Sequence, residues 1–353
     1  MCHEPCATGH APRAYNSIVH HTVSLIPGDG IGPEVADATV RAVEATGIPV
    51  RWERVELTRE VIEQSGESLP EGVVESLQRT RVGLKGPVTT PIAGGFQSVN
   101  VALRKRLDLF ANVRPVRNLP GLKTRYQDAK IDMIIFRENT EDLYAGLEHE
   151  VVTDVVTSLK VITRRASERI ARYTFEFAKR TGRQQITAVH KANIMKLGDG
   201  LFLRCCREVA REYPDIGYKE LIVDNAAMQL VMRPETFDLL LMPNLYGDIV
   251  SDLAAGLVGG LGIVPGSNMG ERCAVFEAVH GSAPDIAGKG IANPTALMQS
   301  AALMLAHLGE QAASARLQTA IERVYAGAKH LTPDVGGSAG TTEFTDAVIA
   351  AME

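Results

Sequence analysis

The chain has 353 residues, 45% of them hydrophobic and 22% charged, with a net charge of −5. That is the composition of a folded globular protein, long enough for two domains. The acidic balance argues against nucleic acid or an anionic membrane as a partner, and no apolar run reaches the ~20 residues of a membrane span.

Residues 1–21 hold a single arginine and no apolar centre, so they read as a disordered tail rather than a secretory signal or transit peptide. Cys2, His3, Cys6 and His10 are metal-ligand types, but no second half-site follows them. Cys205 and Cys206 lie side by side in a helical pattern and Cys273 stands alone. Five cysteines arranged this way read as a reduced, intracellular set rather than a disulfide frame.

Val23–Ile26 forms a strand that runs into Pro27-Gly28-Asp29-Gly30-Ile31-Gly32-Pro33, and Pro33 suits the first turn of a helix. The glycines are spaced G-x-G-x-G and not G-x-G-x-x-G, which leaves a tight strand-to-helix turn and a cofactor contact both open. A strand over 50–57, helices over 59–64 and 71–79, and a strand over 82–85 follow. The last leads into Gly86-Pro87-Val88-Thr89-Thr90-Pro91, a stiff loop at a strand end, where open α/β sheets place ligands. The alternation of strands and helices favours the α/β class.

Ser98, Asn100 and Arg104 open the next segment, and Asn100 and Arg104, four apart, share a helix face. The run Leu107–Val113 reads as a helix end passing into a buried strand, with Arg114 at its tip and Pro115 forcing extension. Arg137 ends another apolar strand, so the arginines point to an anion site, since guanidinium forks match carboxylate or phosphate. Tyr144 follows as either a proton donor or a half-buried loop residue. Residues 148–163 are β-rich and suit an arm that pairs with another subunit.

After a helix over 165–180, the strand 186–189 ends near Lys191, which is either a desolvated base or a solvated end charge. Glu220–Asp224 puts a carboxylate at a strand tip. Asp248 and Asp252, four apart near a helix start, offer hard oxygen donors suited to Mg²⁺ or Mn²⁺, with Asp224 available as a third. Near the end, the strand 274–278 leads to His280-Gly281-Ser282-Ala283-Pro284-Asp285-Ile286, a loop that suits an adenosine pocket with Asp285 on ribose hydroxyls. Asn293-Pro294 then opens the first of three scaffold helices.

Together these motifs resemble the β-decarboxylating dehydrogenases, the family of isocitrate, isopropylmalate, homoisocitrate and tartrate dehydrogenases, from about Val23 to the C-terminus. The resemblance implies a two-domain α/β/α fold with a mixed sheet, distinct from the standard Rossmann fold, in a dimer with its site in the interdomain cleft. By analogy the large, cofactor-binding domain is 22–109 plus 258–353. The small domain is 110–257, with a dimerisation arm at about 148–163.

Ser98 and Asn100 are similar to the isocitrate pattern, in which they bind the substrate's γ-carboxylate. By the same resemblance Arg104, Arg114 and Arg137 clamp the other two carboxylates. Asp248 and Asp252 hold the metal with Asp224 of the partner, Lys191 from the partner deprotonates the C2 hydroxyl, and Tyr144 protonates the enolate. Asp285-Ile286 resembles NAD-dependent relatives, whereas NADP-dependent ones carry Lys-Tyr there. Thr89, His280, Gly281 and Asn293 complete the implied cofactor contacts.

The implied activity is NAD-dependent oxidative decarboxylation of isocitrate to 2-oxoglutarate. The implied setting is a homodimer or higher assembly in the cytoplasm, or in the mitochondrial matrix of a eukaryote. Homoisocitrate as substrate, and membership of a hetero-oligomeric isocitrate dehydrogenase, are the alternatives.

Overall fold

The computed structural model describes residues 20–89 and 98–353; the Cys/His-bearing tail and the loop residues Thr90, Pro91 and Gln97 lie outside the described residues. The first strands are β1 (His21–Ile26), β2 (Val50–Arg54), β3 (Val82–Lys85), β4 (Ala111–Arg117) and β5 (Asp132–Glu138). β6 (Glu148–Val152) and β7 (Val155–Ser158) make a separate hairpin. The set ends with β8 (Gln185–His190), β9 (Gly217–Ile222), β10 (Leu239–Met242), β11 (Pro265–Met269) and β12 (Ala274–Ala278). The helices are α1 (Gly32–Glu44), α2 (Arg59–Ser65), α3 (Glu71–Thr80), α4 (Val99–Arg106), α5 (Arg164–Thr181) and α6 (Gly198–Ala210). They continue as α7 (Val223–Met232), α8 (Asn244–Val258), α9 (Thr295–His307), α10 (Gln311–Gly327) and α11 (Thr341–Ala350).

Ten strands form one sheet in the order β2-β1-β3-β12-β11-β4-β5-β10-β8-β9. It is mixed. Parallel pairs at both ends flank antiparallel β12–β11, β11–β4 and β4–β5 pairs at the centre. The parallel blocks are joined by helical crossovers that cover both faces, as such strands require.

Alternation along the central strands decides what the site receives. On β5, Met133 and Ile135 join the core cluster that includes α8, while Ile134 and Phe136 join the cluster under α5 and α6. Period two therefore turns Arg137 toward α8. On β4, Val113 belongs to the α5/α6 cluster and Val116 to the α8 cluster, so Arg114 also faces α8. Phe136, Phe175 and Phe202 are fully buried under α5 and α6, each stabilising by about 1.5–3 kcal/mol. That apolar wall lets the opposite face carry charge.

Some boundaries differ from the sequence reading. Arg114 sits inside β4, not at its tip, because the strand continues through Pro115 to Arg117. The ladder to β11 covers only Ala111 to Val113, so Pro115 lies beyond it and costs no bond there. Asp224 lies in the first turn of α7 and not at a strand end, since β9 stops at Ile222. Asp248 and Asp252 fall in the second and third turns of α8.

Candidate active site

Lys85 and Glu277 are opposite one another in the parallel β3–β12 register, and Glu277 is opposite Gly266 on β11. One residue past the last β11–β4 pair, Ser267 with Val113, comes Arg114. Across four adjacent strands this row thus carries three charges, Lys85, Glu277 and Arg114, with Gly266 between the last two. Lys85 Nζ donates to Glu277 Oε2 at 2.8 Å, and Arg104 from α4 reaches Glu277 Oε1 at 3.4 Å. Asn268 Nδ2 donates to the same Oε1 at 2.7 Å, while its own Oδ1 accepts from Asn112 and Asn139. Glu277 is held far below the ordinary carboxylate range, because Lys85 and Arg104 outweigh the cost of burying it.

Arg114 donates from Nη1 to Ser251 Oγ at 2.6 Å and to Asp252 Oδ1 at 3.0 Å, both on α8. Arg137 bonds Asp248 and, from Nε, Asn244 Oδ1 at 2.8 Å. Tyr144 also donates its phenol to Asp248, with the Arg137 guanidinium 5.0 Å from its ring centroid. Gly247 makes this packing possible: a Cβ there would overlap the Cβ and Cγ of Arg137.

Burial and the charge of Arg104 bring Arg137 down to about 10, and burial lowers Arg114 as well. Both remain cations at neutral pH. Burial pushes the Tyr144 phenol up, and its bond to Asp248 adds to that. Burial would also raise Asp248, but Arg137 reverses the direction and holds it below its ordinary value.

Every one of the three buried guanidiniums has an unused donor: Arg104 Nε, Arg114 Nε and Arg137 Nη2 are buried with no partner among the described residues. Leaving a buried charged donor unmatched costs about 1–3 kcal/mol or more, so three together call for carboxylate oxygens. Asn100, one turn before Arg104, adds a buried Oδ1 with no partner among the described residues. Ser98 is exposed and its hydroxyl does not cap α4, the helix it precedes.

Asp248 and Asp252 present two hard oxygen donors, four apart on α8, beside the guanidiniums. Asp252 is 54% exposed at its side chain, so it has open coordination sites, as an Mg²⁺ or Mn²⁺ centre requires. Among the described residues no three His, Cys, Asp or Glu side chains come together around one point. Asp224 does not complete the pair within the chain; it bonds Lys191 instead.

The cofactor-side candidates gather at the strand ends beyond Lys85 and Glu277. Thr89 donates its hydroxyl to Ser282 at 2.7 Å, and Asp29 accepts from the Thr89 amide at 2.7 Å. Cβ atoms on Gly28, Gly30 and Gly32 would collide with the carbonyls of Pro87, Ser282 and Pro27. These glycines therefore pack loop on loop, as a tight strand-to-helix turn requires. His280 Nε2 is buried without a partner among the described residues, and burial lowers the pKa of that imidazole. Asp285 is exposed next to Gly281 on the same loop, while Ile286 packs on the core. Asn293 is buried, its amide donating to Asp334 at 2.9 Å and its oxygen accepting from Thr295.

Lys85, Glu277, Asn244, Gly247 and Ser251 were not read as site residues from the sequence. A lone glutamate within Ala274-Val-Phe-Glu-Ala278 was the available signal, since an acid in a fully buried strand needs a buried cation.

The family model for isocitrate/isopropylmalate dehydrogenase matches residues 22–348. The chain is 53% identical to isocitrate dehydrogenase [NAD] catalytic subunit 5, mitochondrial, of Arabidopsis thaliana, over 97% of this chain and 91% of that one. It is 54% identical to chloroplastic 3-isopropylmalate dehydrogenase of Solanum tuberosum over 87% and 85% of the two chains. Among solved structures, isocitrate dehydrogenase from Methylococcus capsulatus superposes with a TM-score of 0.90 at 47% identity, covering 94% of this chain and 99% of that one.

Proposed function

We propose that this chain, which belongs to the isocitrate/isopropylmalate dehydrogenase family, catalyses the NAD-dependent oxidative decarboxylation of isocitrate to 2-oxoglutarate and CO₂. The observation that carries the reading is the set of unmatched donors on Arg104, Arg114 and Arg137. Three converging cations are what a tricarboxylate needs to leave water. Asn100 favours isocitrate over isopropylmalate, because a buried amide oxygen is a poor floor for an isopropyl group.

In this reading the arginines fix the carboxylates and Ser98 and Asn100 take the γ-carboxylate. Lys191 of a second copy accepts the C2 hydroxyl proton, and Tyr144, whose phenol is held protonated, returns one to the enolate after CO₂ leaves. Asp248 and Asp252, with Asp224 of a second copy, would hold Mg²⁺ or Mn²⁺, which supplies Lewis-acid polarisation of the C2 oxygen. Thr89, His280, Gly281, Asp285, Ile286 and Asn293 would hold NAD, which would supply the hydride acceptor. Exposed Asp285 suits ribose hydroxyls and repels a 2′-phosphate.

Self-association has independent support. Asp224, Met228, Val231 and Met232 share one face of α7, and the three apolar residues are exposed, as is Ile249 beside Asp248. The hairpin β6–β7 exposes Val151, Val152, Val155 and Val156. A second copy covering these surfaces would bring its Asp224 and Lys191 to this chain's aspartates. A division into a large domain, 22–109 plus 258–353, and a small one, 110–257, belongs to the same proposal. So does an aqueous compartment, cytoplasm or mitochondrial matrix, in keeping with the free Cys205, Cys206 and Cys273.

Membership of a hetero-oligomer is the second reading. It is favoured by the subunit naming of the Arabidopsis relative. Tyr144, Lys191 and all three aspartates are present, so within such an assembly the chain would be a catalytic subunit. Incubating the purified protein with isocitrate, homoisocitrate or 3-isopropylmalate, NAD and Mn²⁺, and identifying the 2-oxo acid formed, tests the assignment. 2-Oxoglutarate from isocitrate supports it, and product from 3-isopropylmalate alone overturns it.

A further inference from the structure

A second buried ionic cluster lies outside the arginine site. Lys160 follows the β6–β7 hairpin directly. Its ammonium donates to Asp199 Oδ1 at 2.6 Å and to the Tyr246 hydroxyl at 3.1 Å, stands 3.6 Å from Asp142 Oδ1, and sits 4.3 Å from the Tyr246 ring centroid. Asp199 is fully buried. Its Oδ2 accepts from the Tyr246 hydroxyl at 3.0 Å and from the backbone N–H of Lys191 at 2.6 Å. Asp142 is also buried and lies in a left-sided conformation, φ 73°. It accepts from the backbone N–H groups of Leu143 and Leu245, each at 2.9 Å.

The anchors of this cluster are telling. Asp199 fixes the backbone of Lys191. Asp142 fixes the backbone one residue before Tyr144 and the first turn of α8, which bears Asp248. Lys160 is the cation between them. Without it the buried carboxylates of Asp142 and Asp199 would have no ion-pair partner among the described residues.

We propose that Lys160 and Asp199 are positioning residues that hold the Lys191 backbone and the Tyr144 loop in one frame, tied through Lys160 to the β6–β7 hairpin. The inference rests on the proton-transfer roles given above to Lys191 and Tyr144. Those two groups must be placed to within a fraction of an ångström, and a displacement of about 1 Å can cost 10²-fold in rate. A shift of the frame therefore lowers the rate of the chemical step, while Arg104, held by Glu277, and Arg114, held by Ser251 and Asp252, keep their hold on substrate.

The test compares Lys160→Met, Lys160→Arg and Tyr246→Phe in the intact purified oligomer. The expected result for Lys160→Met is a fall of tenfold or more in kcat, with KM for isocitrate and NAD within about twofold, and recovery of most of the loss in Lys160→Arg. Hydrogen exchange reads the frame without reference to activity. Amides in 191–199 and 243–248 should exchange faster in Lys160→Met while those in α9 are unchanged. If Lys160→Met fails to fold, Tyr246→Phe removes one hydroxyl alone and should show the same paired acceleration, to a smaller extent. A kcat within twofold of the parent in Lys160→Met, or acceleration confined to 155–165, overturns the proposal. Absence of isocitrate turnover in the parent protein would instead count against the assigned reaction, and the exchange comparison would still decide whether the frame exists.

Discussion

Glu277 stands opposite Lys85 in the parallel β3–β12 ladder and accepts its ammonium at 2.8 Å, with Arg104 on the other carboxylate oxygen. One buried anion thereby joins the strand ends that carry the loops proposed to hold the cofactor to the first arginine of the proposed anion site.

Glu277→Gln should be severely destabilising, because it leaves Lys85 and Arg104 buried without their anion. Breaking a buried pair by removing one partner costs about 3–5 kcal/mol. Urea unfolding reads this directly. A loss under 1 kcal/mol would mean that solvent reaches the pair.

Asp285→Lys with Ile286→Tyr should move preference from NAD toward NADP, since the exposed aspartate is replaced by a cation able to meet a 2′-phosphate. The readout is the ratio of kcat/KM values for the two cofactors. An unchanged ratio would refute the role given to this loop.

Much of this arrangement was legible in the sequence. The strand and helix alternation gave the α/β class, and the arginines and the α8 aspartates stood out by type and spacing, while Tyr144 was singled out only through the family resemblance. What could not be read was pairing across the sheet. Glu277 and Lys85 are 192 positions apart and meet only because β12 lies beside β3, a neighbour relation that local periodicity does not encode. The same holds for Lys160 and Asp199, which look like surface charges until the segment after the hairpin meets the start of α6. Arg114 was placed at a strand tip because the apolar run stops at Val113, whereas β4 continues through Pro115, which lies beyond the short β11 ladder.

Mixing Tyr144→Phe with Lys191→Met tests whether active sites are shared. Each variant alone should lose most activity, about 10²-fold or more. If Lys191 serves the neighbouring copy, a mixed dimer has one site with both defects and one with neither. Refolding the variants together should then restore a substantial part of the parent activity. No recovery despite mixed dimers would show that both residues act within one chain.

Glu141 gives a pH prediction. Its carboxyl is pushed from 4.5 up to about 7 by burial, with bonds from the Thr163 amide and hydroxyl pulling the other way. A folded-state value above the unfolded one means that the neutral form stabilises the fold. That contribution is complete below about 4.5 and is lost as pH rises through about 7. Relative to Glu141→Gln, the parent should be more stable at pH 5 than at pH 8, measured as the difference in Tm at each pH. The opposite slope would contradict the burial argument.

The central claim is tested most directly by following NADH absorbance with isocitrate and Mg²⁺ or Mn²⁺, beside a parallel reaction with NADP. Rapid reduction of NAD with stoichiometric 2-oxoglutarate, little turnover with NADP and none without the metal is the expected result. Failure to reduce either cofactor with isocitrate, while 3-isopropylmalate is oxidised, would contradict the reading of Asn100 and the three arginines as a tricarboxylate site.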